Sequence, residues 1–159
     1  MQKLISLFVF LLIVIAAAAA GGQYVGGDWY QAMQKPAWNP SALAMASVWA
    51  LLYILMAVSA WMVWDSLRGL AKTALAWWGF QLLLGVAWSW TFFGMHRIGW
   101  SLGVMGLWLL LVLLTTKSFR SIRVEASNLM LPVTAWLLFA LVLNFTQWQL
   151  NGGGFHSIL

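Results

Sequence analysis

The side chains best suited to hold a ligand in this sequence are large aromatic rings that recur at helical spacing. Trp49 and Tyr53 are four residues apart, and Trp88 and Phe92 repeat that interval. Residues with this spacing share one face of a helix. Rings beside small side chains form either an ordinary bundle core or the walls of a flat apolar cavity. The three stripes are Trp49, Tyr53, Met56 and Ala60; Gln81, Gly85, Trp88 and Phe92; and Trp136, Ala140, Leu143 and Asn144.

Two side-chain amides, Gln81 and Asn144, lie within these apolar stripes. A buried amide that lacks a partner in lipid costs on the order of several kcal/mol, so each must find a hydrogen bond. They either join neighbouring helices or provide the polar contacts of a cavity. The sequence leaves both interpretations open.

Groups that normally carry acid, base or metal chemistry are absent from the apolar segments. No Asp, Glu, Lys, Arg or His falls within the part of these segments that would lie in hydrocarbon, and the chain has no cysteine. His96 and His156 lie near helix ends or in the tail, where a single histidine is usually solvated. We therefore expect no catalytic residue, no metal site and no bound cofactor, and an ion-coupled carrier is disfavoured.

The composition indicates an integral membrane protein. Hydrophobic residues make up 64% of the 159 residues and charged residues 7%, with a mean hydropathy of +0.88. Five apolar segments are long enough to cross about 30 Å of hydrocarbon as helices. These segments are residues 4–20, 41–64, 72–93, 98–116 and 129–149. We predict one all-α domain over residues 1–159, a bundle of five transmembrane helices. The first segment also has features of a secretory signal.

The distribution of Lys and Arg predicts the orientation. One side of the membrane would hold six of these residues and the other side two. The six are Lys3, Arg68, Lys72, Lys117, Arg120 and Arg123, and the two are Lys35 and Arg97. Positive charge accumulates on the cytoplasmic side, which places the amino terminus inside and both the 21–40 loop and the carboxyl terminus outside. The net charge of +5 would then face anionic lipid headgroups, and nucleic acid is not an expected partner.

The 13 tryptophans are unevenly divided between the two sides. Trp61, Trp64, Trp77 and Trp78 have the positions of interfacial anchors on the cytoplasmic side. Seven others gather near the outer loop: Trp29, Trp38, Trp49, Trp88, Trp90, Trp100 and Trp148. This excess suggests that the outer mouth of the bundle does more than anchor the protein.

Three stretches of the chain resemble the TspO/MBR family of tryptophan-rich sensory and translocator proteins. They are "DWYQAMQKPAWNP" followed by Trp49 and Tyr53, then "QLLLGVAWSWTFFG", and then "LPVTAWLLFALVLN". The resemblance implies five transmembrane helices and a homodimer. It also implies a cavity under the first loop that binds porphyrins and, in animal members, cholesterol and benzodiazepine-type ligands. We expect the protein to lie in a bacterial cell membrane.

The resemblance also implies which residues contact a ligand. The 21–40 loop would be a lid, and the implied lid and pocket residues are Trp38, Asn39, Pro40, Trp49, Tyr53, Trp88, Trp100, Leu107, Trp136, Ala140, Leu143 and Asn144. Gln81 and Phe92, which share a helical stripe with Trp88, are also expected to contact a ligand. Gly85 stands where the family often has Asn, which suggests a wider cavity. Phe145 and Gln149 replace the Tyr and basic residue of the cholesterol consensus, so sterol recognition is not implied.

A porphyrin suits the residues that surround this mouth. Its broad ring favours aromatic walls and exclusion of water, and its two propionates favour nearby cations. Lys35 and Arg97 are the only Lys or Arg predicted outside, and we expect them to meet the propionates. A receptor that binds and senses porphyrin is the leading interpretation. Light-dependent porphyrin degradation and passive translocation of porphyrin or lipid are the alternatives.

Overall fold

The protein is described here by a computed structural model that covers residues 2–66 and 71–152. Regular structure within these ranges is helical throughout. The helices are α1 (Gln2–Gly22), α2 (Gly27–Ala32), α3 (Ala42–Trp64), α4 (Ala71–Ser89), α5 (Ile98–Arg120) and α6 (Val124–Leu150). A π-helical stretch, Trp90–Gly94, continues α4, and we call it the π turn. Arg68 and His156 lie outside the described residues.

The all-helical prediction is confirmed, whereas the count of five transmembrane helices is not. The described residues form six α-helices, of which α1, α3, α5 and α6 are long and apolar enough to cross a membrane. The additional helix is α2, a short element within the segment predicted to be a loop. The helix α4 has 19 residues and includes Lys72 and Gln81, which lower its hydropathy although it packs in the bundle.

The five long helices form a closed ring in which neighbours are not always consecutive in the chain. The helix α1 packs against α3 and α4, α3 packs against α6, and α5 lies between α6 and α4. A further contact joins α3 to α4 across the ring. This order brings α3, α6 and the end of α4 together at the end of the bundle that carries α2.

The first helix is an integral part of this bundle. Its Phe10 and Val14 are buried, and the Ser89 hydroxyl of α4 donates to its Gly21 carbonyl at 2.7 Å. At the opposite end of α1, the ammonium of Lys3 lies 3.0 Å from a carboxylate oxygen of Asp65. These contacts attach α1 at both ends.

Two helices extend beyond the apolar segments that predicted them. The helix α5 continues through Lys117 to Arg120, and α6 begins at Val124, just before Glu125. Hydropathy marks the part of a helix that can lie in hydrocarbon, while Lys, Arg and Glu favour helix wherever water can reach them. Charged residues therefore ended the predicted segments but not the helices.

One predicted interfacial anchor is a core residue instead. The Trp78 side chain is only 3% exposed, and its indole N–H donates to the carbonyl of Met56 at 3.0 Å. Its ring meets the edge of Phe10 at 5.4 Å. Trp64, by contrast, is 52% exposed and matches the prediction of an anchor. Because Trp77 and Trp78 are adjacent on one helix, their side chains point in different directions, and only one of them can face lipid.

Candidate ligand-binding site

A small cavity lies where α3, α6 and the π turn meet. Its volume is about 30 Å³, close to the space that one water molecule fills. The lining residues are Tyr30, Met45, Trp49, Trp88, Phe92, Phe93, Trp136, Ala140, Leu143, Asn144 and Gln147. Seven of them are residues predicted from sequence to contact a ligand. The structure thus brings together residues of all three aromatic stripes.

Aromatic rings form the walls of this cavity. The Trp88 and Phe92 rings stack at a centroid distance of 5.5 Å, and the ring of Trp136 stands perpendicular to that of Trp49 at 6.5 Å. One turn from Trp136 on α6, Ala140 contributes only a methyl group. Large flat rings beside one small residue are walls suited to a flat ligand, and we call the space between them the slot.

The π turn determines which rings reach the cavity. The amide of Met95 donates to the carbonyl of Trp90, five residues earlier, at 2.8 Å. In an α-helix, Trp88 and Phe93 would point about 140° apart. The wider turn lets both Phe92 and Phe93 line the cavity, with their ring centroids 4.7 Å apart.

Asn144 connects three helices at the edge of the cavity. Its Oδ1 accepts the indole N–H of Trp88 at 2.9 Å and lies 3.0 Å from the Ser101 hydroxyl oxygen. That hydroxyl is also 2.7 Å from the carbonyl of Ile98, so its single proton is shared between two acceptors. Asn144 therefore joins helices and lines the cavity, which satisfies both interpretations that the sequence left open.

In the structure the lid comprises residues 23–41, between α1 and α3. It contacts the π turn on one side of the cavity and the end of α6 on the other. On one side, Tyr30 of α2 packs its ring against the edge of Phe93 at 5.2 Å. On the other side, the side-chain amide of Gln147 donates to Asn39 Oδ1 at 3.0 Å. Asn151 pairs with the backbone of Gln34 through two hydrogen bonds of 2.9 and 2.8 Å. The lid is closed over the cavity in this structure.

The space beside Gly85 is filled rather than open. A Cβ at this position would lie 2.8 Å from Cζ2 of Trp108, closer than any side chain tolerates. Trp108 in turn stacks on Trp49 at 5.4 Å with an interplanar angle of 9°. The expectation that Gly85 widens the cavity is wrong, because the indole of Trp108 occupies the room that the glycine leaves.

Several residues predicted to contact a ligand lie away from the cavity. Trp100 and Leu107 are on the outward face of α5, 59% and 56% exposed. Trp38 is 47% exposed and packs on Phe139 at the rim. Gln81 is fully buried one helical turn below Gly85. Ligand contacts at these positions stay predictions.

Three other predicted residues adjoin the cavity without lining it: Tyr53, Asn39 and Pro40. Tyr53 packs beside Trp49, with a centroid distance of 6.1 Å. Asn39 reaches the cavity only through its bond to Gln147, and its own amide nitrogen donates to the carbonyl of Pro40 at 2.9 Å. These residues support the walls and the lid.

The two cations predicted to meet propionates have different surroundings. The ammonium of Lys35 donates to the carbonyls of Gln31 and Met33 at 3.2 and 3.1 Å and lies 4.6 Å from the ring centre of Tyr30. Two of its three protons are thus used at the end of α2, and one stays available. Arg97 precedes α5 and is exposed.

Sequence reasoning missed Trp108, Tyr30, Met45, Phe93 and Gln147. Trp108 had a usable signal, since it lies near the middle of α5, far from either interface where tryptophan anchors occur. Phe93 had none, because an α-helical period directs it away from Trp88. Gln147 fits the stripe of Leu143 and Asn144 and could have been included by spacing.

Comparison with known proteins identifies relatives along most of the chain. The family model described as "TspO/MBR family" matches residues 7–149. The chain is 34% identical to "Translocator protein" of Ovis aries over 91% of this chain and 89% of that protein. It is 34% identical to "Protein CrtK" of Rhodobacter capsulatus, which covers 84% of each chain. It is also 35% identical to "Tryptophan-rich sensory protein" of Cereibacter sphaeroides, over 78% and 77% of the two chains.

Proposed function

The chain belongs to the TspO/MBR family, and from that premise we propose that this integral membrane protein binds and senses porphyrins or related tetrapyrroles. The observation that carries the proposal is the cavity beneath the lid, whose walls are five aromatic side chains of the helices and the π turn. They are Trp49, Trp88, Phe92, Phe93 and Trp136. Such a slot suits a flat, apolar ring system.

The proposal requires the cavity to open. Ligand pockets in proteins typically measure about 300 to 1,000 Å³, roughly ten times more than the 30 Å³ found here. A porphyrin therefore enters only after the lid lifts and the rings beneath it separate. Part of the binding free energy would therefore be spent on this opening.

We propose the orientation predicted from the charges and a homodimer as the assembly. Within the described residues, the end of the bundle opposite the lid carries five Lys and Arg residues. They are Lys3, Lys72, Lys117, Arg120 and Arg123. This end would face the cytoplasm of a bacterial cell, and porphyrin would reach the lid from outside.

A titration of the purified protein with protoporphyrin in darkness tests the proposal. We expect saturable quenching of tryptophan fluorescence, and replacing Trp136 with phenylalanine should weaken binding by about fivefold, or ~1 kcal/mol. The indole N–H of Trp136 has no acceptor among the described residues, so this substitution breaks no hydrogen bond of the unliganded protein.

Illumination of the same mixture and a flux measurement with sealed vesicles distinguish the other candidate functions. Loss of porphyrin absorbance only under illumination would support degradation, the alternative suggested by tryptophan rings such as Trp49 beside a photosensitising ligand. Movement of porphyrin into sealed vesicles would support the transport implied by the name of the Ovis aries relative. Quenching that does not saturate, in wild type and Trp136→Phe alike, would contradict a binding site.

The charge at the lid gives a second prediction. Replacing Lys35 with glutamine keeps a hydrogen-bond donor for the α2 carbonyls but removes the positive charge. We expect affinity for a dicarboxylate porphyrin to fall by about threefold to fivefold, because an exposed ion pair contributes about 1 kcal/mol or less. The loss should shrink as salt is added.

A porphyrin diester, which lacks the two negative charges, is the matched ligand for this test. Its affinity should be unchanged by Lys35→Gln. If acid and diester weaken equally and without salt dependence, Lys35 acts only through the structure of the lid.

A further inference from the structure

Trp108 occupies the central position below the cavity. It is 2% exposed, and its indole lies parallel to Trp49 at 5.4 Å and tilted against Trp88 at 6.3 Å. Both of those rings line the cavity directly. Trp108 thus forms the layer immediately beneath the walls.

The indole of Trp108 fits against α4 because residue 85 is a glycine and has no side chain. Three atoms of the indole lie within 3.3 Å of where a Cβ of residue 85 would be. Any larger side chain at this position would push Trp108 towards the cavity or out of its stack. The ring of Trp108 thus fills the room that Gly85 leaves between α4 and α5.

Unsatisfied polar groups lie at and below this ring. Gln81 is one helical turn below Gly85, about 6 Å along α4. It is fully buried, and its Nε2 lies 3.4 Å from the sulfur of Met56. Its Oε1 has no hydrogen-bond partner among the described residues, and neither has the indole N–H of Trp108. An acceptor in this position is equipped to bind a donor that the closed bundle does not provide.

We infer that Trp108 is the floor of the binding cavity and a specificity-determining residue, which keeps ligands above Gly85 and out of reach of Gln81. The inference rests on the proposed function for its ligand but not for its geometry. The wild-type protein would bind flat ring systems whose lower edge lies above Trp108. Elongated ligands whose lower end carries a hydrogen-bond donor for Gln81 are excluded in the wild-type protein and admitted when the ring is removed.

Cysteine labelling tests the floor without any porphyrin, because the chain contains no cysteine of its own. Gln81→Cys is introduced into the wild-type background and into Trp108→Val, and each protein is treated with a small water-soluble methanethiosulfonate. Ala140→Cys, in the cavity above the floor, is the reference in each background. We expect the labelling rate of the cysteine at position 81, divided by that of the cysteine at position 140, to be at least about tenfold higher in Trp108→Val than in the wild-type background.

Trp108→Phe is the matched control, since it keeps a ring over Gly85 and should leave position 81 protected. If Trp108→Val does not fold, Trp108→Met removes the flat ring while retaining more volume, and the same increase is expected. Equal relative rates with and without the indole in folded protein, whether high or low, would overturn the inference.

Porphyrin binding supplies the second measurement. Gln81→Leu should change the affinity of the wild-type protein by less than about twofold, since the ligand does not reach that residue. If Gln81→Leu alone weakened porphyrin binding by about tenfold, the inference that Trp108 is the floor would be overturned. Absence of porphyrin binding in every variant would contradict the proposed function, while the labelling result would still decide whether Trp108 closes the cavity.

Discussion

Replacing Ala140 with leucine is expected to reduce porphyrin affinity by at least about tenfold, or 1.4 kcal/mol. Ala140 lines the cavity and is 8% exposed. Leucine adds three carbon atoms where only about 30 Å³ is free, so the added side chain fills the slot and presses against its walls. Equilibrium titration with protoporphyrin in darkness measures the loss.

Ala135→Leu is the matched control for this substitution. Ala135 lies on the same helix but is exposed, so the same three carbons enter no cavity. It should bind as the wild type does. Wild-type affinity in a folded Ala140→Leu protein would mean that porphyrin binds elsewhere.

Replacing Asn144 with leucine should cause the largest loss of stability. The indole N–H of Trp88 and the hydroxyl of Ser101 would lose their acceptor inside the bundle. Unsatisfied buried groups cost about 1 to 3 kcal/mol each, which suggests a total of about 3 kcal/mol because the Ser101 proton can still bind Ile98. Thermal unfolding followed by circular dichroism should show a decrease of roughly 10 °C.

The control for Asn144 is another polar residue in the same part of α6. The hydroxyl of Thr146 donates only to the carbonyl of Val142 on its own helix, at 2.9 Å. Thr146→Val should therefore change the unfolding temperature by much less. Similar decreases in both variants would show that Asn144 contributes no special connection between helices.

The sequence predicted the faces of the helices better than their number and ends. The stripe of Trp136, Ala140, Leu143 and Asn144 turns inward as the helical period requires, because burial follows the spacing of large and small side chains. The short helix α2 was not predicted, since six residues give no period to read. The predicted helix ends were wrong wherever charged residues continued a helix beyond the apolar segment.

The composition of the site was predicted in part for related physical reasons. Residues that share a helical face, such as Trp88 and Phe92, were assigned together. Phe93 joined them only because the π turn changes the local period, which the order of residues does not reveal. The role of Gly85 depended on Trp108, a residue of another helix, and contacts between helices cannot be read from either segment alone.

The attachment of the lid has a consequence for the apparent affinity of any ligand that must pass beneath it. Three hydrogen bonds from Gln147 and Asn151 hold the lid, all made by uncharged amides. At about 1 kcal/mol net for each bond, the open form would be about 1% of the population. The apparent affinity would then be about a hundredfold weaker than the affinity of the open cavity. A substitution that removes one of these bonds would enlarge the open population and so strengthen the apparent affinity, even though it touches no wall of the cavity.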